Sequence, residues 1–127
     1  MTAPQLANIY CLTRQTILDD IHAGLYPRTS KIYRSDGSFA YHIQDFIQHY
    51  PRAVWQKIHT SKPSELTTTI EQEAYIVTYG DKIPTRTLAM QLLIPTEKVR
   101  YLYNRAFDAG RVSPIIDQRR RKPNVSP

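Results

Sequence analysis

Cysteine, glycine and tryptophan are scarce in this chain, with one Cys, four Gly and one Trp in 127 residues. The lone Cys11 excludes an intrachain disulfide and any zinc site built on clustered cysteines. It has no base beside it in sequence, so it reads as a small buried hydrophobe. The few glycines each stand at a turn or helix end, which leaves no glycine-rich phosphate loop. No run of about 18 apolar residues exists to span a membrane. The first residues hold no basic segment followed by an apolar core, so no signal peptide is expected. His22, His42, His49 and His59 are scattered, without the helical spacing and nearby acid of a metal site. No catalytic residue, cofactor or metal ligand emerges, and an enzyme is not expected.

Charge is present, and it is unevenly placed. The formal net charge of +6 favours a polyanionic partner. Residues 1–59 carry six Lys/Arg against four acids, and residues 60–112 carry seven against six. The last fifteen carry four against one, in Arg119, Arg120, Arg121 and Lys122. The two nearly neutral parts must therefore make any nucleic-acid footprint through the distribution of charge over their faces. The basic end reads either as a solvated tail or as an extension that follows phosphates, with Arg119, Arg120 and Arg121 as its contacts.

The stretch from Leu12 to Pro27 is the most informative. Thr13 offers a hydroxyl N-cap, Ile17 and Ile21 lie one helical turn apart, and Gly24 and Pro27 supply stop signals. Upstream, Ala3 to Asn8 is a short candidate helix carrying Leu6 and Ala7. Two short helices joined by a tight turn, the second tipped with polar residues, is a layout that places a helix in the DNA major groove. Downstream, Ser30 to Tyr41 reads as a hairpin around Asp36-Gly37, with Gly37 expected at positive φ in a two-residue turn. Phe39 and Tyr41 are expected to return to the core. Lys31 and Arg34 are expected near the tip, with Arg34 extending past the apolar edge.

This order of helix, turn, helix, Gly-x-x-Pro, hairpin and helix resembles the winged-helix domains of the AlpA and phage excisionase group, relatives of the MerR DNA-binding head. The resemblance covers residues 3 to 50. It rests on Thr13-Arg14-Gln15-Thr16-Ile17-Leu18 at the opening of the recognition helix, on Gly24-Leu25-Tyr26-Pro27 at its exit, and on Phe39-Ala40-Tyr41 followed by Asp45-Phe46-Ile47. Asp19 and Asp20 depart from the basic or neutral residues such domains often carry. The resemblance implies a winged DNA-binding unit; with neither a membrane span nor a signal peptide expected, a bacterial or phage cytoplasm is the expected compartment. Helical geometry turns Ile17 and Ile21 inward and Gln15, Thr16, Asp19 and His22 outward, with Arg14 at the helix start within reach of a phosphate. Asp19 either accepts from a cytosine amino group or holds Arg14 or His22 locally.

Ile43 to Ile58 shows helical spacing broken by Pro51, with Trp55 and Ile58 covering the core or a second copy. A polar stretch near Thr60-Ser61-Lys62-Pro63-Ser64 marks a boundary. Beyond it, Thr69 is expected to cap a helix through Tyr79 that stops at Gly80. Thr85 is expected to cap a second, with Leu88, Leu92 and Leu93 facing inward. Thr96 is expected to cap a third, running to Ala109-Gly110. Ala89 supplies the small residue needed where two helices cross closely. In the third helix Val99, Leu102, Tyr103 and Ala106 form the core stripe. Lys98, Arg100, Tyr101, Asn104 and Arg105 lie on its sides and back, with Arg111 beyond, and these side-chain types suit phosphates, guanine and adenine edges. Glu97 and Asp108 share that face.

The fold class expected is mainly α, a tandem of helix-turn-helix units, the first winged with a small β-hairpin. The organisation expected is a winged unit at 1–59, a linker at 60–67, a second tri-helical unit at 68–112 and a basic flexible tail at 113–127. The expected function is sequence-specific binding of double-stranded DNA in a phage or mobile element, as transcriptional regulator or excisionase-type architectural factor. Its candidate contacts are Arg14, Gln15, Thr16, His22, Arg28, Lys31, Arg34, Lys98, Arg100, Tyr101, Asn104, Arg105 and Arg111, together with the tail. Other readings are a DNA-packaging component like small terminase subunits and an adaptor that binds a polymerase or recombinase. Partners beyond DNA would be a second copy, in a dimer or cooperative filament, a recombinase or RNA polymerase, and no membrane.

Overall fold

The computed structural model describes residues 1–111, so the tail with Arg119, Arg120 and Arg121 lies outside the described residues. Two helix-turn-helix corners organise the chain. In the first, α1 (Ala3–Tyr10) meets α2 (Arg14–His22) through Cys11, Leu12 and Thr13. In the second, α5 (Thr85–Leu92) meets α6 (Thr96–Asp108) through Leu93, Ile94 and Pro95. The two corners share one backbone conformation. Cys11 and Leu93 are both left-handed at φ 57, and Thr13 and Pro95 are both extended, at ψ 155 and 153. The closing amide bonds match as well, Leu12 N to Ala7 O at 2.9 Å and Ile94 N to Ala89 O at 3.1 Å. The residue between, Leu12 or Ile94, packs against the core. Cys11 is thus exposed in a left-handed cap, not buried as expected. Leu93, expected to face inward, is 75% exposed because a helix residue turned left-handed leaves the inward face.

After α2, Gly24 at φ 83 lets the chain turn, and the amide of Leu25 reaches the carbonyl of Asp20 at 2.9 Å. The chain then forms the antiparallel pair β1 (Thr29–Tyr33) and β2 (Phe39–Ile43), with Thr29 opposite Ile43 and Tyr33 opposite Phe39. A 3-10 turn at Asp45–His49 leads to α3 (Arg52–Thr60). Pro51, extended and just before α3, ends the earlier run because it cannot donate to a preceding turn. Trp55 is buried, stands edge-on to Tyr50 at 5.6 Å and donates from Nε1 to the Ile47 carbonyl at 3.1 Å. It covers the core of its own chain.

The first half therefore gives two helices, a hairpin and α3, and α4 (Thr69–Tyr79) opens the second. The whole is mainly helical, with six α-helices and one two-stranded hairpin among the described residues. Helix starts differ from expectation by one residue. Thr68 caps α4, accepting from the Glu71 amide at 3.3 Å. Pro84 and Pro95 occupy the N-cap positions of α5 and α6, which moves Thr85 and Thr96 into the first turn.

The segment 60–67 is no free linker. It contains a 3-10 turn at Pro63–Glu65, and Leu66 is buried with its carbonyl accepting from Gln72 Nε2 at 2.9 Å. Every residue from Gln72 to Thr78 is buried, because α3 packs on one side of α4 and α6 on another. A single core cluster runs from Ala3 to Ala106, so the two helical units share one interior.

Candidate nucleic-acid interface

Helix α2 presents the first candidate face. Its capping hydroxyl, Thr13 Oγ1, accepts from the Thr16 amide at 3.2 Å and lies 2.8 Å from Thr16 Oγ1. Thr16 is accordingly half-buried and completes the cap, where an outward position was expected. Gln15, Asp19 and His22 do point outward, and Gln15 Nε2 donates to Asp19 Oδ1 at 3.0 Å. Asp19 therefore holds Gln15 rather than Arg14 or His22. The pair offers one side-chain amide with its carbonyl still open, the group that reads adenine in a groove. Arg14 is exposed at the helix start. Asp20 turns inward, where Arg52 grips it through Nε and Nη2, each at 2.8 Å, and Tyr26 donates to it at 3.0 Å. Burial first, then the hydrogen bond to Asp20, pushes the Tyr26 hydroxyl well above its ordinary range.

The hairpin continues this face. His22 Nε2 lies 3.1 Å from the Tyr41 hydroxyl, with the two rings edge to face. The strand pair is buried at its base, where Ile43 sits, and exposed towards the tip. Gly37 has φ 87, as expected. The turn has three residues, Ser35 to Gly37, because Arg34 N donates to Ser38 O at 2.8 Å and Gly37 N to Arg34 O at 3.1 Å. A primed two-residue turn would also need positive φ at Asp36, and Asp36 instead accepts from Ser38 N and Oγ. Lys31 and Arg34 are exposed as expected, with Lys31 Nζ 4.6 Å from the centre of the Phe39 ring. Phe39 does not return to the core; it is exposed and stands beside Tyr33 and Tyr41.

Helix α6 presents a second face. Val99, Leu102 and Ala106 are buried as the core stripe, and Lys98, Arg100 and Tyr101 are exposed. Glu97, Tyr101, Asn104 and Asp108 fall on the side opposite the stripe, with Lys98 and Arg100 at its margins. Of the other candidate cations, Arg28 and Arg111 serve the interior, and Arg105 stays exposed while pairing inward. Arg111 donates from Nε to Glu73 Oε1 at 2.8 Å, and Arg105 Nε lies 3.3 Å from Glu73 Oε2. Arg28 donates to the Thr78 carbonyl and pairs with Asp81, both partners of the pair being nearly buried. Arg28 thus fastens the first unit to the second, while Arg111 closes on Glu73 within the second, because a buried carboxylate takes its partner from the nearest guanidinium the fold can deliver.

The sequence reading missed Glu73. Its carboxylate is fully buried and accepts from the Tyr50 hydroxyl at 2.9 Å. Its position would have flagged it, since it lies three and four residues before the buried Ile76 and Val77 of α4. The exposed aromatic face of the hairpin was missed too.

Among the described residues no group of three or more His, Cys, Asp or Glu could hold a metal, and no helix is long and apolar enough to cross a membrane. The arrangement can do two things chemically: offer hydrogen bonds from α2 into a groove, and place cations and rings from the hairpin beside it. No family model, curated protein or solved structure matches the chain.

Proposed function

We propose that this chain is a sequence-specific double-stranded DNA-binding protein of the AlpA and excisionase kind, serving a phage or mobile element as regulator or architectural factor in the bacterial cytoplasm. The observation that carries the reading is the continuity of α2 with the hairpin. Gln15, Asp19 and His22 line one outward face, and the His22–Tyr41 contact joins it to the hairpin bearing Lys31 and Arg34. A helix for the major groove with cations beside it is the division of labour in which base edges specify and phosphates position. The repeated backbone of the α1–α2 and α5–α6 corners supports a tandem of such units.

A second reading concerns the second unit alone. Glu97 and Asp108 occupy the outward side of α6 between Lys98 and Arg100, and Met90 and Leu93 are exposed on α5 and its cap. That mixture suits a protein partner such as a recombinase or polymerase at least as well as a duplex.

The test is selection from a random duplex pool, then affinity for the selected site across about 50 to 200 mM salt. Affinity should fall log-linearly with salt. Lys31→Ala with Arg34→Ala should reduce the slope by about one per lost phosphate contact. Gln15→Ala should cost about 1–3 kcal/mol on the selected site alone and relax one base position. Lys98→Ala with Arg100→Ala lowers the slope if α6 lies on DNA and leaves it unchanged if the second unit binds protein. Absence of any selected sequence, or equal affinity for all duplexes, overturns the reading.

A further inference from the structure

The hairpin carries more exposed ring than a phosphate-following wing needs. Lys31 faces Tyr41 and Tyr33 faces Phe39 in the register, so all four side chains share one face of the two strands. That face leaves the core at Ile43, yet it stays aromatic to its outer end, where Tyr33 is 68% and Phe39 42% exposed. The rings form a continuous row: Tyr33 to Phe39 at 5.8 Å, Phe39 to Tyr41 at 5.4 Å, and Tyr41 to His22 of α2 at 5.9 Å. The opposite face, with Ser30, Ile32, Ala40 and His42, has no such row. Cations flank the rings. Lys31 lies over Phe39 and Arg34 closes the strand at the turn, while the carboxylate of Asp36 is turned back onto Ser38. Exposed rings beside positive charge, with Tyr33 the most open of them, complement a base whose π-face is uncovered next to its own phosphates.

We propose that the Tyr33–Phe39–Tyr41 face is a stacking platform for bases that have left the duplex stack, so that the protein binds distorted or locally unpaired DNA beside the site held by α2. The inference rests on the DNA-binding reading and deepens it. Stacking is tolerant of sequence because every base has a π-face, so the platform adds preference for DNA shape and α2 retains preference for sequence.

The test compares the selected duplex with the same duplex carrying a two-base bulge next to the α2 half, one bulge position being 2-aminopurine. The bulged duplex should bind about tenfold more tightly, the order expected for a stacked base, and the 2-aminopurine emission should be quenched on binding. Tyr33→Leu with Phe39→Leu keeps apolar bulk at exposed positions but removes the π-faces. It should abolish both the preference and the quenching while affinity for the paired duplex and the circular dichroism stay unchanged. Equal binding of bulged and paired duplexes, or a preference that survives the double substitution, overturns the platform and leaves the duplex reading standing. No binding to either DNA overturns the duplex reading, and the platform falls with it.

Discussion

A carboxylate with no exposure costs several kcal/mol unless its oxygens are met; Glu73 Oε1 takes Tyr50 and Arg111, and Oε2 has no hydrogen bond and is met by the charge of Arg105 alone, at 3.3 Å. Arg111 is partly exposed and can turn to water when its partner is removed, whereas the buried Tyr50 hydroxyl cannot. Glu73→Ala should therefore destabilise the fold by about 2–4 kcal/mol, measured by urea denaturation followed through Trp55 fluorescence. Glu73→Gln should cost less because an acceptor remains, and a loss below about 1 kcal/mol for the alanine variant would show the cluster to be dispensable. The tyrosines tied to such acids add a pH dependence. Burial raises the hydroxyls of Tyr10, Tyr26 and Tyr50 above their ordinary range, with the Asp20 hydrogen bond adding to it at Tyr26 and the Glu73 charge at Tyr50. The unfolded chain gives up these protons from about pH 10 while the folded chain keeps them. The stabilisation is therefore complete below about pH 10 and is lost as pH climbs from there towards the folded-state values. The urea midpoint should fall from about pH 10 upward, and Tyr50→Phe should shallow that fall. A midpoint level to pH 11 would contradict this.

At the scale of elements, the hairpin is the piece most separable from the core. Gly37 has φ 87, and a Cβ there would meet nothing within 4 Å, so only backbone strain opposes substitution. Gly37→Val should cost about 1–2 kcal/mol in local strain, leave helical dichroism intact and weaken the proposed duplex binding by displacing Lys31 and Arg34. Undiminished affinity would remove the hairpin from the contact surface. Elements whose signals are local were legible in the sequence: Thr13 and Gly24 bound α2, Gly80 ends α4, and Asp36-Gly37 marks the turn. The helix caps at Pro84 and Pro95 were misread because a proline held extended before a threonine already supplies the cap geometry, leaving the hydroxyl nothing to cap. The rings of the hairpin were misread because strand alternation gives which side chains share a face but not where the core beneath that face ends. The candidate cations divided for a different reason. Arg14, Lys31 and Arg34 follow local geometry, whereas Arg28 and Arg111 find Asp81 and Glu73 across long sequence separations that no window reveals.

At the scale of the molecule, the two helix-turn-helix units do not behave as beads on a string. Tyr50 reaches from the first to Glu73 in the second, Arg28 reaches to Thr78 and Asp81, Leu66 is buried between them, and one core cluster crosses the boundary. Shared burial on this scale couples unfolding, since opening either unit exposes apolar surface of the other. Urea unfolding followed by Trp55 fluorescence, which reports the first unit, should coincide with unfolding followed by far-ultraviolet circular dichroism, to which α4, α5 and α6 contribute heavily. Arg28→Ala sharpens the test, because it leaves the nearly buried Asp81 without its cation, at a cost of about 3 kcal/mol. In a coupled molecule both signals shift to lower urea together. In a molecule of independent units the Trp55 transition would move apart from the dichroism and reveal two steps. Coincident transitions would also tie α2 and α6 into one folding unit, so that, on the proposed reading, whatever α6 contacts is held near the DNA that α2 reads.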